Sequence, residues 1–138
     1  MAKKLPLGIE LAKGFTRMVI VIGPWAIKMP LLPLLQKKIA SSRYRWWRRW
    51  FWGVEGNRTE ARVWKESQGQ AHDLCPVLWS GFWGLILVMP RCQILTDEQW
   101  ELEDLNNEVA FSFYTDNQPY NFGYLDGRVV QVDYAGPY

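Results

Sequence analysis

The segment Arg43-Tyr44-Arg45-Trp46-Trp47-Arg48-Arg49-Trp50-Phe51-Trp52 interleaves guanidinium groups with aromatic rings. Guanidinium neutralises anions, and flat rings stack on bases or settle among lipid headgroups. The pattern therefore suits an anionic membrane surface, a nucleic-acid backbone or an acidic protein partner. The rival reading is a helix that docks its aromatics on a sheet and turns its arginines outward. A second set of polar residues is scattered along the chain. Lys28 is the one charged residue in Trp25-Ala26-Ile27-Lys28-Met29, and Glu60 stands early in a helical stretch. Asp116 and Asn121 are five apart with Pro119 between them, and Asp133 closes a β-rich run. Asp and Asn beside a proline ordinarily shape a turn, and an acid in a first helical turn is ordinary too. These residues acquire chemical meaning only if the fold carries them to Lys28. His72 is the sole histidine and sits in a polar connector. With Cys75 and Cys92 it falls short of a typical zinc ligand set.

The elements that must position these residues are legible in part. Leu5, Leu7, Ile9 and Leu11 alternate as a half-buried strand does. Thr16 to Ile22 and Trp25 to Met29 flank Gly23-Pro24 and predict an antiparallel hairpin. Leu34 to Trp52 reads as a helix that Gly53 and Gly56 break. Asn57 then N-caps a second helix running to about Lys65. Pro76–Trp79 and Leu85–Met89 predict a second, buried hairpin around Ser80–Gly84, with Cys75 and Cys92 near its open end. That uncharged stretch is shorter than the roughly 20 apolar residues of a membrane-spanning helix. Thr96-Asp97-Glu98-Gln99 is a capping box that opens a helix with Leu102, Leu105 and Val109 on one face. In the tail, Asp126-Gly127 is a favoured hairpin turn, and Arg128–Val132 is the strand that delivers Asp133.

Bulk properties agree with one α+β domain over residues 1–138. The chain is 49% hydrophobic and 22% charged, which is globular in character. At this length roughly 68–70% of the unfolded surface can be buried without disulfides or metal. Net charge is only +2, so strong polyanion binding by the whole surface is excluded. The charge is polarised, however. Leu31 to Trp52 holds six basic residues and no acid, and Cys92 to Asp126 holds eight acids and no Lys or Arg. Two cysteines make no disulfide framework, and the opening residues do not read as a signal peptide. A reducing cytoplasm is the expected setting.

Taken in order, these features resemble the protein-kinase-like fold, and are most similar to the small kinase-like proteins encoded by phages. Ala26-Ile27-Lys28 resembles the Val-Ala-Ile-Lys strand. Glu60, within Asn57-Arg58-Thr59-Glu60-Ala61-Arg62-Val63-Trp64, resembles the helix glutamate that pairs with that lysine. Asp116-Asn117-Gln118-Pro119-Tyr120-Asn121 keeps the catalytic-loop spacing, and Asp133-Tyr134-Ala135 stands where Asp-Phe-Gly would. The resemblance spans about Leu11 to Ala135. It implies an antiparallel-sheet N-lobe with a glutamate-bearing helix, a much reduced C-lobe, and residues 31–56 as a basic/aromatic helical insertion.

The roles that follow are those of phosphoryl transfer, where positioning and charge neutralisation do most of the work. Lys28 would grip ATP phosphate beneath a loop at Gly14, Glu60 would orient Lys28, and Asp116 would be the catalytic base. Asn121 and Asp133 would hold Mg²⁺, a hard cation suited by oxygen ligands. Departures are concrete: Gly14 stands nearly alone where the family has three glycines, Tyr114-Thr115 replaces His-Arg, and Gln118 replaces lysine. Two functions are therefore expected. One is nucleotide binding with vestigial phosphotransfer. The other is a non-enzymatic scaffold that binds a host or phage protein through Arg45, Trp46, Trp47, Arg48, Arg49, Trp50 and Trp52, in the host cytoplasm.

Overall fold

Arg17–Ile22 (β3) is rich in β-branched residues, whose side chains pack well on a pleated surface. It pairs antiparallel with Trp25–Pro30 (β4), with Ile22 opposite Trp25 and Val19 opposite Lys28. Only Gly23-Pro24 separates the strands, and Gly23 has φ +54, the conformation a tight hairpin needs at its first central residue. The computed structural model describes residues 3–4, 8–13, 16–32, 46–67, 74–102 and 118–134, without the side chains of Lys3, Lys4, Lys13 and Trp46. Within these, Lys3–Lys4 (β1), Glu10–Lys13 (β2), Trp79–Gly81 (β5) and Ile86–Pro90 (β6) complete a sheet of order β1-β2-β3-β4-β6-β5. Every neighbouring pair in it is antiparallel. A second antiparallel sheet joins Gln93–Ile94 (β7), Phe122–Leu125 (β8) and Arg128–Gln131 (β9). The expected Asp126-Gly127 turn connects β8 to β9 with both residues at positive φ. The architecture is α+β.

One helix, Trp46–Glu66 (α1), crosses the first sheet. The expected break at Gly53 and Gly56 does not occur. Both glycines are buried inside the helix, and a Cβ on Gly53 would lie 2.3 Å from the Thr16 carbonyl oxygen and 2.9 Å from Pro30 Cα. Gly53 lets the helix backbone approach the sheet; it costs about 1 kcal/mol in helix propensity, and close packing offsets it. Asn57 is correspondingly no N-cap. It is a buried residue in mid-helix.

The β5–β6 hairpin forms as expected, but it is not a buried one. Leu87 and Met89 are in the core, whereas Leu78, Trp79 and Phe82 are exposed and Trp83 is 90% exposed. The residues joining the strands, Phe82 and Trp83, have φ of 53° and 58°. The capping box is present, with the Gln99 N–H donating to Thr96 Oγ1 at 3.2 Å and the Thr96 N–H to Gln99 Oε1 at 3.0 Å. The short helix it opens, Asp97–Leu102 (α2), buries Trp100 against Phe122 instead of Leu102, which is exposed. Leu105 and Val109 lie outside the described residues. Beneath β4 and β6 the core gathers Leu74, Cys75, Leu87, Met89, Val130 and Tyr134. Cys75 and Cys92 are free thiols whose Sγ atoms are 3.3 Å apart. Among the described residues no helix is long and apolar enough to cross a membrane.

Candidate functional site

The hairpin register decides which polar side chains meet. Val19 lies opposite Lys28, and Arg17 is two residues from Val19, so Arg17 and Lys28 share one face of the sheet. α1 packs across that face and presents Asn57 and Glu60 to it. Lys28 Nζ donates to both carboxylate oxygens of Glu60, at 3.0 and 2.9 Å, and to the Val132 carbonyl oxygen. Arg17 Nη2 donates to Glu60 Oε1 at 2.8 Å and to Asp133 Oδ1 at 2.9 Å, and Arg17 Nη1 donates to Asn57 Oδ1 at 3.2 Å. The Tyr134 N–H adds a further bond to Glu60 Oε1 at 3.2 Å. Glu60 is fully buried and lies at the centre of this cluster.

Charge bookkeeping explains how such a cluster survives burial. Two cations, Lys28 and Arg17, face two carboxylates, Glu60 and Asp133, and each buried charge has opposite charge within hydrogen-bonding distance. Asn57 locks the frame around them, donating from Nδ2 to the Lys28 carbonyl at 3.1 Å and to the Gly84 carbonyl at 2.8 Å. A buried pair of this kind adds little net stability, but removing one partner typically costs about 3–5 kcal/mol. The side chain of Asp133 is 47% exposed, which makes it the solvent-facing end of the cluster.

The β8–β9 hairpin brings the tail residues in. Val132 N–H donates to the Asn121 carbonyl at 2.9 Å, so Asn121 lies across the hairpin base from the residue preceding Asp133. Asn121 is buried at the end of the 3₁₀ turn Pro119–Asn121. Beside the cluster, the Tyr134 hydroxyl donates to the Cys75 carbonyl at 2.8 Å. Burial holds the Tyr134 phenol well above the usual tyrosine value. The hydrogen bond between the two thiols raises Cys75 and lowers Cys92, and burial adds to the rise at Cys75.

Comparison with family models, curated proteins and solved structures returns no match.

Lys28, Glu60 and Asp133 are thus brought together, and Asn121 is joined to them through the backbone. Gly14, Arg45 and Asp116 lie outside the described residues. Arg17 and Asn57 are the two members that reading the sequence missed as site residues. A signal for Arg17 was present: the two-residue turn fixes the register, and the register puts Arg17 on the face of Lys28. Asn57 carried a misleading signal, because asparagine after a glycine reads as a cap.

The basic/aromatic segment differs from both expectations. Trp47 and Phe51 are about half exposed, at 46% and 52%, and Arg48 lies 5.4 Å from the centre of the Trp47 ring. Arg49 is buried and is not part of the outer face; it stands four residues before Gly53, on the stripe of α1 that packs on the sheet. Trp50 and Trp52 are half-buried. So the aromatics do not all dock, and the arginines do not all point outward.

Among the described residues no group of three or more His, Cys, Asp or Glu is arranged to hold a metal. Asp133 is the described carboxylate that the kinase resemblance assigns to Mg²⁺, and its Oδ1 already accepts from Arg17. A divalent ion on that oxygen would face a guanidinium at contact distance. The arrangement as it stands does not fit Mg²⁺ there.

Proposed function

We propose that this chain is a kinase-like protein that binds a nucleotide at the Lys28–Glu60 pair, with phosphotransfer at most vestigial. The observation that carries the reading is the two-oxygen contact between a strand lysine and a helix glutamate, with Asp133 linked to the same carboxylate through Arg17. Supporting it are the strand order around β4 and the β8–β9 hairpin that ends at Asp133. On this reading Lys28 and Arg17 supply positive charge for the phosphates and Glu60 fixes both. Asn57 holds α1 against β4, and Asp116 would accept the proton of an acceptor hydroxyl. Where Mg²⁺ binds in such a site it screens phosphate charge; here Arg17 contributes cationic charge in that position.

Thermal denaturation with and without ATP tests the reading. A ligand that binds only the folded state adds about 2.7 kcal/mol of stability at a hundred times its dissociation constant. A clear rise in Tm at millimolar ATP is expected for the wild type, with a smaller one for Lys28→Met. An equal rise in both proteins counts against Lys28 as the phosphate ligand, and no rise in either counts against nucleotide binding.

A second reading is a non-enzymatic scaffold for a host or phage protein, and one observation favours it. The contacts of Lys28 to Glu60 and Val132 use all three ammonium protons, so the cluster is internally satisfied. Trp47 and Phe51 would then carry the interaction. Replacing both should abolish partner binding while nucleotide has no effect.

A further inference from the structure

We propose that Asp133 is a place-holder for phosphate on Arg17, so that this protein binds its nucleotide without a divalent metal. The inference rests on the nucleotide reading above and specifies how that site meets the phosphates. Arg17 Nη2 sits between two carboxylates of unlike character. Glu60, at 2.8 Å, is fully buried and is held by Lys28 and by the Tyr134 N–H as well. Asp133, at 2.9 Å, has a side chain 47% exposed to solvent. Glu60 therefore acts as the fixed anchor of the guanidinium, and Asp133 as the partner that can exchange.

An incoming phosphate oxygen presents the same chemistry as the Asp133 carboxylate: an anionic acceptor for the guanidinium fork, which is well matched to phosphate. Exchange leaves Arg17 paired with Glu60 and lets Asp133 turn to water. The guanidinium then does the neutralising that a metal ion does elsewhere. A divalent cation on Asp133 Oδ1 would instead have to displace Arg17 from that oxygen, leaving Glu60 alone to balance both Arg17 and Lys28 with a third cation beside them. Arg17 and a metal at this oxygen are alternatives, and the cluster as folded has chosen Arg17.

The test is ATP titration by calorimetry, in excess EDTA and again with Mg²⁺, on wild type, Arg17→Gln and Asp133→Asn. Equal affinity in EDTA and Mg²⁺, within about twofold, is expected of the wild type. Arg17→Gln should weaken binding in EDTA by about tenfold or more, the usual loss for one charge-assisted hydrogen bond. Asp133→Asn should tighten it, because a competing anion is gone. Should Arg17→Gln fail to fold, Asp133→Asn decides alone, since its half-exposed side chain is the safer one to change. Binding that requires Mg²⁺ and disappears in Asp133→Asn overturns the inference and leaves the nucleotide reading standing. Metal-free binding that is indifferent to both substitutions removes Arg17 and Asp133 from the site and overturns it too. No binding in either buffer overturns the nucleotide reading, and this inference with it.

Discussion

Lys28 and Glu60, 32 residues apart in sequence, meet through both carboxylate oxygens, at 3.0 and 2.9 Å, on the buried face of the first sheet. The two residues are not energetically equivalent. Glu60 also accepts from Arg17 and from the Tyr134 N–H, so losing its charge leaves two buried cations without their shared anion. Losing Lys28 leaves Glu60 still paired with Arg17. Glu60→Gln is therefore expected to cost about 3–5 kcal/mol, the range for breaking a buried ion pair. Lys28→Met should cost about 1–3 kcal/mol, the penalty for lost hydrogen bonds at a buried group. Urea denaturation of the two variants and the double mutant checks the order. The double mutant should fall well short of the sum, because the residues share one network.

How much of this was legible beforehand depends on whether the contacts involved were local. Gly23-Pro24, Thr96 to Gln99 and Asp126-Gly127 each act within four residues, and each element they mark is present, although the helix after Thr96 buries Trp100 and not Leu102. Lys28 stood out because a lone charge in an apolar strand needs a partner. The partner's identity came only from resemblance, since an acid early in a helix is common. Gly53 misled because helix propensity is local, while its use here is set by Thr16 and Pro30, far away in the chain. The role of Arg17 was hidden for the same reason, although the hairpin register already placed it on the face of Lys28. Its role depends on Glu60 and Asp133, which are 43 and 116 residues away.

Gly53 gives the sharpest packing prediction. Alanine is the better helix former by about 1 kcal/mol, so Gly53→Ala would stabilise an isolated α1. In the protein its Cβ would lie 2.3 Å from the Thr16 carbonyl oxygen, a backbone atom that cannot swing aside. Moving the helix off the sheet should cost about 1–3 kcal/mol, as overpacking does. A lowered Tm is expected, with loss of nucleotide binding as the Lys28–Glu60 contact opens. A raised Tm would mean that α1 does not approach β4 this closely.

Tyr134 predicts an alkaline limit to stability. Burial raises its phenol above the ordinary tyrosine value, so the folded state holds the proton more tightly than the unfolded chain. The stabilisation is fully present below the unfolded value of about 10 and is lost progressively as pH rises beyond it. Tyr134→Phe should flatten this decline while costing about 1 kcal/mol at neutral pH for the hydrogen bond to Cys75. Melting curves of both proteins across the alkaline range measure it; identical slopes would contradict a buried phenol.

Cys75 and Cys92 should differ in reactivity despite lying 3.3 Å apart. The hydrogen bond that lowers Cys92 raises Cys75, which is also the more buried thiol. The thiolate is the nucleophile, so iodoacetamide should label Cys92 first, with a pH midpoint below that of an ordinary cysteine. Hydrogen peroxide should convert the Cys92 thiolate to a sulfenic acid, releasing hydroxide. Cys75 then displaces water from it to form the disulfide. Peptide mapping should find one internal crosslink, and Cys92→Ser should abolish it. Faster labelling at Cys75 would reverse the assignment.

Trp83 combines backbone strain with an exposed side chain. Its φ of 58° is in the left-handed region, which costs a residue with a Cβ about 1–2 kcal/mol, and its side chain is 90% exposed, so burial returns almost nothing. Asparagine tolerates that conformation better. Trp83→Asn is therefore expected to leave stability unchanged or to raise it by up to about 1 kcal/mol. Phe82 shares the strained backbone but makes an edge contact with Trp79, centroids 5.9 Å apart, so Phe82→Asn should gain less or lose. A Trp83→Asn protein that melts well below wild type would mean that the indole is packed in solution.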